Sequence, residues 1–378
     1  MPLNKLPLAI RATTALLTLG MASQAAAFQI TAGDLKAELY GYARLNASYD
    51  FNENVANTSR SASFAKLENG SDAENREIKG HFGADAVQSR LGLRVMTPEG
   101  VRMVVEGDFR GAGNTLRLRN AYGEYNGWLM GQNWSNYNSF VGNTPVLDFD
   151  GLAGTAGLQG RVAQVRYTAA NGFSWSLEQP QTNVVDGDKR TSLPTLTARF
   201  ERTSDQLTYS AAALVHQVSF DDGDNSSSKM GYASFLAARL ALTDTVSIQG
   251  AINFSDGANT YLYRSGENFG AEDAFRSGNS LRTIRGHGGT IGASFDLGNG
   301  RSMNIGYGLV TIDWDNAVND GAAVATKSET NQNAMANYLW SPVRNVMLGI
   351  EYGYLHRENV NDHRGEAHRL LFAAQYNF

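Results

Sequence analysis

The sequence has no cysteine. Disulfides, thiolate metal sites and a cysteine nucleophile are therefore excluded. Proline is scarce, with 7 residues against 40 glycines, a balance that suits many strands joined by tight turns. Lysine is also scarce: of 32 basic residues, 7 are Lys and 25 are Arg. Arginine is the planar, bidentate partner of carboxylates and phosphates, so the imbalance points to recognition of anions. The net charge of −5 gives no sign of a nucleic-acid partner. No run reaches the roughly 18 apolar residues that a spanning helix needs. Residence in a membrane would therefore have to rest on strands.

What is present begins with a processing segment. Lys5 and Arg11 give a positive start, Ala12–Met21 is a short apolar run, and Ala25, Ala26 and Ala27 form a small-residue cleavage site. The expectation is a signal peptide over residues 1–27, cleavage after Ala27, and one domain over residues 28–378. At the other end, Leu370, Phe372, Ala374, Tyr376 and Phe378 share one face of an extended strand, and Arg369, Gln375 and Asn377 share the other. Apolar residues at a spacing of two mark a strand between two different environments. A closing strand that ends on Phe378 fits an outer-membrane barrel whose last strand pairs with its first, and resembles the signal read by bacterial barrel-insertion machinery.

The same alternation recurs along the chain. Lys36–Phe51 opens it, with Leu39, Leu45 and Tyr49 on one face and Glu38, Tyr40, Arg44 and Asn46 on the other. Later strands are expected at Val87–Val95, Val101–Gly111, Leu116–Tyr125 and Trp128–Trp134, and onward from Val162 to the end. Tight turns such as Pro98-Glu99-Gly100 and Asn126-Gly127 alternate with long polar loops. Short periplasmic turns alternating with longer extracellular loops are the build of an outer-membrane barrel. The fold class is thus all-β: a transmembrane antiparallel barrel of about sixteen strands, or eighteen if a long loop hides a hairpin. The apolar face looks out to lipid, with Tyr49, Phe109, Tyr122, Phe173, Trp175, Tyr307 and Tyr352 among the expected outward aromatics.

The inward face carries the chemistry. Arg90, Arg94, Arg102, Arg110, Arg117 and Arg119 fall within thirty residues on the inward parity, and only Glu106 and Asp108 share it there. Arg44, Arg166, Arg199 and Arg239 extend this wall. Guanidinium groups lining a narrow passage concentrate anions and are a means of anion selectivity. After the fifth strand comes Trp134–Gly160, long, weakly charged and aromatic. In sixteen-stranded porins the loop at that position folds inward and narrows the pore. Asp148 and Asp150 would then face the arginine wall, while Tyr137 and Phe149 could give the loop its own core. His356, His363 and His368 bracket the last external loop and fit a solvated loop better than a metal site. No cofactor is implied. A membrane hydrolase or an adhesion barrel would need a rim triad or a plugged lumen, and no triad can be assembled from the scattered Ser, His and Asp.

Four stretches, ELYGYARLNASYDF, KGHFGADAVQSRLGL, LRLRNAYGEYNGWLMGQNWSNY and SPVRNVMLGIEYGY, resemble the DcaP-like porins of Gram-negative bacteria. The resemblance implies a homotrimeric sixteen-stranded barrel with an inward third loop. It also implies uptake of small organic anions, typically dicarboxylates, across the outer membrane, with lipid as surroundings. Some relatives carry a helical extension before the first strand; only Phe28–Leu35 precedes it here. The expected function is a passive porin preferring small anionic solutes, with a general diffusion pore as the alternative.

Overall fold

The computed structural model describes residues 28–32, 34–67, 70, 78–267 and 269–378. The expected signal peptide and its cleavage site lie outside the described residues.

The strands are β1 (Phe28–Ala32), β2 (Leu35–Asp50), β3 (His81–Asp85), β4 (Arg90–Met96), β5 (Arg102–Asp108), β6 (Arg117–Tyr125), β7 (Trp128–Trp134), β8 (Arg161–Thr168) and β9 (Phe173–Glu178). They continue as β10 (Val184–Val185), β11 (Lys189–Arg190), β12 (Thr195–Ser204), β13 (Leu207–Asp221), β14 (Ser226–Ala241), β15 (Val246–Asp256), β16 (Ala274–Ser277) and β17 (Ser280–Thr283). The last are β18 (Arg285–Gly298), β19 (Arg301–Asp313), β20 (Ser328–Trp340), β21 (Val346–Asn359) and β22 (Arg364–Asn377). Sixteen antiparallel positions form a closed wall: β2, then β3 with β4 as two halves of one strand, β5 to β9, β12 to β15, and β18 to β22. The ring closes where β22 pairs with β2 from Tyr42↔Asn377 to Asp50↔Arg369. Closure removes the edges that β2 and β22 would otherwise expose to lipid.

The possible eighteenth-strand hairpin exists but stays out of the wall. β16 and β17 form it, and it pairs with β10 as a separate three-stranded sheet among the long loops. β1 was not foreseen. It pairs with Leu35–Leu39 of β2, beside the point where Phe378 ends against Gly41. It thus covers the part of β2 that β22 does not reach. The expected single strand Val87–Val95 is interrupted: Ser89 N–H turns back to the Ala86 carbonyl at 3.0 Å, and Ser89 Oγ accepts the Arg44 N–H at 2.9 Å in place of a ladder bond.

Short turns behave as their residues require. Asn126 and Gly127 both have positive φ, 47° and 82°, as a two-residue hairpin turn demands. Outward positions are apolar and open: Leu91, Leu93, Met103 and Phe372 are all exposed. Aromatic clusters sit near the short turns, with Trp128 5.1 Å from Tyr167 and 5.8 Å from Trp175, as in an interfacial girdle. Tyr122 is a correction. The register slips between Glu106↔Asn120 and Gly107↔Leu118, a bulge at Arg119. The extra residue reverses the parity after it, so Tyr122 pairs with the buried Val104 and faces inward.

Candidate functional site: the lumen and its constriction

The loop between β7 and β8, residues 135–160, folds into the barrel. Its root is fixed by Glu178, which accepts Ser135 Oγ and Asn136 N–H, each at 2.6 Å. Its descent is then read by single side chains on distant strands. Asn253 donates to the Gly154 carbonyl at 2.7 Å and accepts Gly157 N–H at 3.1 Å. Asn333 does the same for the Gly151 carbonyl and Ala153 N–H, both at 2.9 Å. Glu351 accepts Leu147 N–H at 2.6 Å and Asp148 N–H at 2.9 Å. Arg44 donates to the Leu147 carbonyl at 2.8 Å. Backbone groups removed from water must be paired, and these five residues pair them. The wall beneath is thinned by glycine: a Cβ on Gly308 would collide with the Ala153 carbonyl, and one on Gly142 of the loop with the Gly250 carbonyl.

The loop therefore leans on β14, β15, β18 to β22 and β2, and meets the β4–β8 side through Phe140, against Trp134, and at its tip. There Phe149 lies under two guanidinium groups, those of Arg110 at 3.8 Å and Arg119 at 5.5 Å. The β4–β8 side is the arginine wall.

That wall is less positive than its sequence suggested, because Glu38, Glu124 and Asp150 also reach it. Arg117 grips Asp108 with Nε and Nη2 at 3.0 and 2.8 Å. Arg119 donates to Asp108 at 2.6 Å and to Glu106 at 3.2 Å. Arg90 lies 3.4 Å from Glu106, Arg102 lies 3.4 Å from Glu124, and Arg94 pairs with Glu38. Arg110 lies 4.0 Å from Asp150. Tyrosines hold two of these side chains flat, Arg94 over Tyr40 at 4.9 Å and Arg90 over Tyr42 at 5.1 Å. Among the described residues, no carboxylate lies within ion-pair distance of Arg44, Arg166 or Arg199. Arg199 instead donates to the Asn138 carbonyl of the loop. Arg239 pairs in register with the inward Gln249.

Arg161 was missed by parity counting. It is the first residue of β8 and nominally outward, yet its Nε donates to Asn120 Oδ1 at 3.2 Å. Its guanidinium covers the Trp134 ring at 3.6 Å, and Trp134 in turn meets Phe140 of the loop. Parity fails where a strand emerges from an inward loop; the adjacent Trp134–Gly160 composition was the available signal.

The acidic and aromatic loop residues are placed otherwise than expected. Asp148 does not face the arginine wall. It is buried, accepts Ala62 N–H at 2.7 Å, lies 3.4 Å from Arg369, and caps Asp150 N–H at 2.9 Å. The wall it meets is β22, because Glu351 fixes the loop backbone on that side. Asp150 alone turns toward Arg110, and burial raises its carboxyl above the usual range despite Arg110 and Arg264 nearby. Tyr137 and Phe149 do not share a core. Tyr137 packs on Phe235 of the wall at 5.1 Å and on Tyr261 at 6.2 Å, and burial raises its phenol. His368 accompanies Tyr352 on the outside, Nδ1 to hydroxyl at 2.6 Å.

Comparison with known proteins agrees with this geometry. The family model for the DcaP outer membrane protein matches residues 16–378. The crystal structure of the outer membrane channel DcaP of Acinetobacter baumannii superposes with a TM-score of 0.79 at 26% identity, covering 93% of this chain and 99% of that one. OmpT of Vibrio cholerae (TM-score 0.56, 12% identity, 93% and 100% coverage) shares the fold. So does Salmonella typhi OmpF (0.55, 13%, 93% and 100%). No curated protein matches. With its sixteen-stranded closed wall, inward loop and a family match over nearly its whole length, the chain belongs to the DcaP outer membrane protein family and is an outer-membrane porin.

Proposed function

We propose that this porin is a passive, water-filled channel preferring small anionic solutes, carboxylates and dicarboxylates among them. The observation that carries the reading is the loop's asymmetry. It covers the wall opposite the arginines and leaves the passage flanked by Arg90, Arg94, Arg102, Arg117 and Arg119, with Arg161 and Arg166 beside them. Four carboxylates, Glu38, Glu106, Asp108 and Glu124, offset most of the charge of the first five, so the excess field comes chiefly from arginines with no carboxylate in ion-pair range among the described residues, Arg44, Arg161, Arg166 and Arg199. A fixed positive field in a low-dielectric passage raises the local anion concentration. Export by a signal peptide cleaved after Ala27, insertion through the closing strand and assembly as a homotrimer belong to the same reading.

The test is the reversal potential across a KCl gradient. An anion-selective value is expected, and Arg161→Glu with Arg166→Glu should abolish or invert it. A cation-selective wild type would sink the proposal. The near-neutral pairing of the β4–β6 arginines favours a second reading, a general diffusion pore, which a value close to zero would support. Single-channel conductance in succinate against chloride separates the two further.

A further inference from the structure

The first long loop runs between β2 and β3. Its described part, residues 51–67, folds into the mouth as a miniature hairpin. Asn57 N–H donates to the Ser61 carbonyl at 2.7 Å, Ser63 N–H donates to the Val55 carbonyl at 3.0 Å, and Ala56 bridges Ala62. Its tip turns through two consecutive left-handed residues, Ser59 (φ 62°) and Arg60 (φ 57°), a conformation unfavourable for a non-glycine residue. Such strain persists only where the surroundings hold it.

The surroundings do hold it. Three buried arginines, two on strands and one in a long loop, each donate to one alternate carbonyl of the strap. Arg369 Nη2 donates to Arg60 O at 2.8 Å, Arg264 Nη2 to Ala62 O at 2.8 Å, and Arg357 Nη1 to Phe64 O at 3.2 Å. Val55, Ala62, Phe64 and Leu67 join an apolar cluster with Leu262, Ile312 and Trp314. The strap sits directly on the constriction loop: Ala62 N–H donates to Asp148, and Arg264, which holds the strap, also donates to the Gly151 carbonyl. It reaches across as well, since the Thr58 carbonyl accepts Arg110 Nη2 at 3.4 Å and Arg110 covers Phe149.

We propose that this strap is a second constriction element, stacked on the outer side of the inward loop. It sets the size limit at the entrance, while the inward loop sets it at the waist. Asp148 is the joint between the two. This explains why the carboxylate expected to face the arginine wall is turned away from it.

Two experiments in symmetrical KCl test the strap. In the first, residues 55–66 are replaced by a short Gly-Ser linker. If strap and loop are comparable resistances in series, single-channel conductance should rise about twofold; an unchanged conductance in a heat-resistant, correctly folded barrel overturns the proposal. In the second, the exposed Thr58 is changed to Cys in a chain that has no other cysteine. A bulky sulfonate-bearing thiosulfonate reagent added at the long-loop side should lower the current in a step. Full modification, verified by mass, without loss of current overturns the proposal even if the deletion variant does not fold. Neither readout depends on charge preference, so a porin shown to be unselective would still be expected to give both results.

Discussion

At the residue scale, a guanidinium in this lumen is defined by its partners more than by its position. Asp108 is fully buried and holds both Arg117 and Arg119. Asp108→Asn removes one lumenal negative charge and leaves both arginines partly free. The reversal potential should then move further toward the anion value. Breaking a buried pair of this kind costs about 3–5 kcal/mol, so the folded band should also melt at a lower temperature. An unmoved reversal potential would show that the β5–β6 cluster does not face the conducted path. Asp273, in a long loop, makes a different kind of link. It is fully buried and accepts Thr260 N–H at 2.8 Å and Asn183 N–H at 3.1 Å, tying two loops together. Burial pushes its carboxyl up to about 7. A carboxyl raised in the folded state binds more protons there than when released. The tie is therefore strongest at low pH and weakens as pH rises from the ordinary carboxylate value through 7. Hydrogen exchange at residues 183 and 260, corrected for the intrinsic rate, should show protection falling over that window. Asp273→Asn should flatten the dependence.

At the scale of elements, the inward loop is held by few contacts, and they can be pulled in opposite directions. Glu351→Ala strands Leu147 N–H, Asp148 N–H and Asn337 Nδ2, at about 1–3 kcal/mol each if they stay buried. The loop should lift, with noisier and larger single-channel currents, while Glu351→Gln should behave more mildly. Gly308→Val acts the other way. It pushes the Ala153 backbone off β19 toward the arginine wall, so conductance should fall. If both variants conduct like the wild type, the loop does not set the waist. The contrast also shows what the sequence could and could not reveal. Strands and turns were legible because alternation at a period of two and Asn-Gly pairs are local signals. The loop's resting wall was not, because Asn253, Asn333 and Glu351 look like any hydrated inward residue until a segment far away in sequence, 99 to 204 positions in these bonds, is laid on them. Inward Gly306 and Gly308, spaced by two, were the trace such a loop leaves in its wall. Tyr122 was lost to one bulge at Arg119, which no parity count anticipates.

At the scale of the whole molecule, everything depends on closure. A barrel in lipid has no water to satisfy an open edge, and each unsatisfied backbone group there costs several kcal/mol. The last seam is made by nine register pairs between β2 and β22, and then by Phe378 beyond them. Phe378 N–H donates to the Gly41 carbonyl and Gly41 N–H donates to the Phe378 carbonyl, both at 3.1 Å. The ring lies where a Cβ on Gly41 would be, so the two positions are fitted to one another. Below this point β1 takes over the pairing with β2. Deleting Phe378 alone therefore opens a gap between two paired segments, removes two hydrogen bonds and takes away the terminal aromatic. The heat-resistant, slow-migrating form in the outer-membrane fraction should fall sharply. Phe378→Tyr, which keeps the backbone bonds and the ring, should restore it. Phe378→Ala divides the causes: it keeps the seam but loses the ring, so normal folding of the Ala variant in detergent with poor recovery from the membrane would assign the aromatic to insertion. Equal recovery of the deletion and the wild type would mean that the seam closes without its last residue.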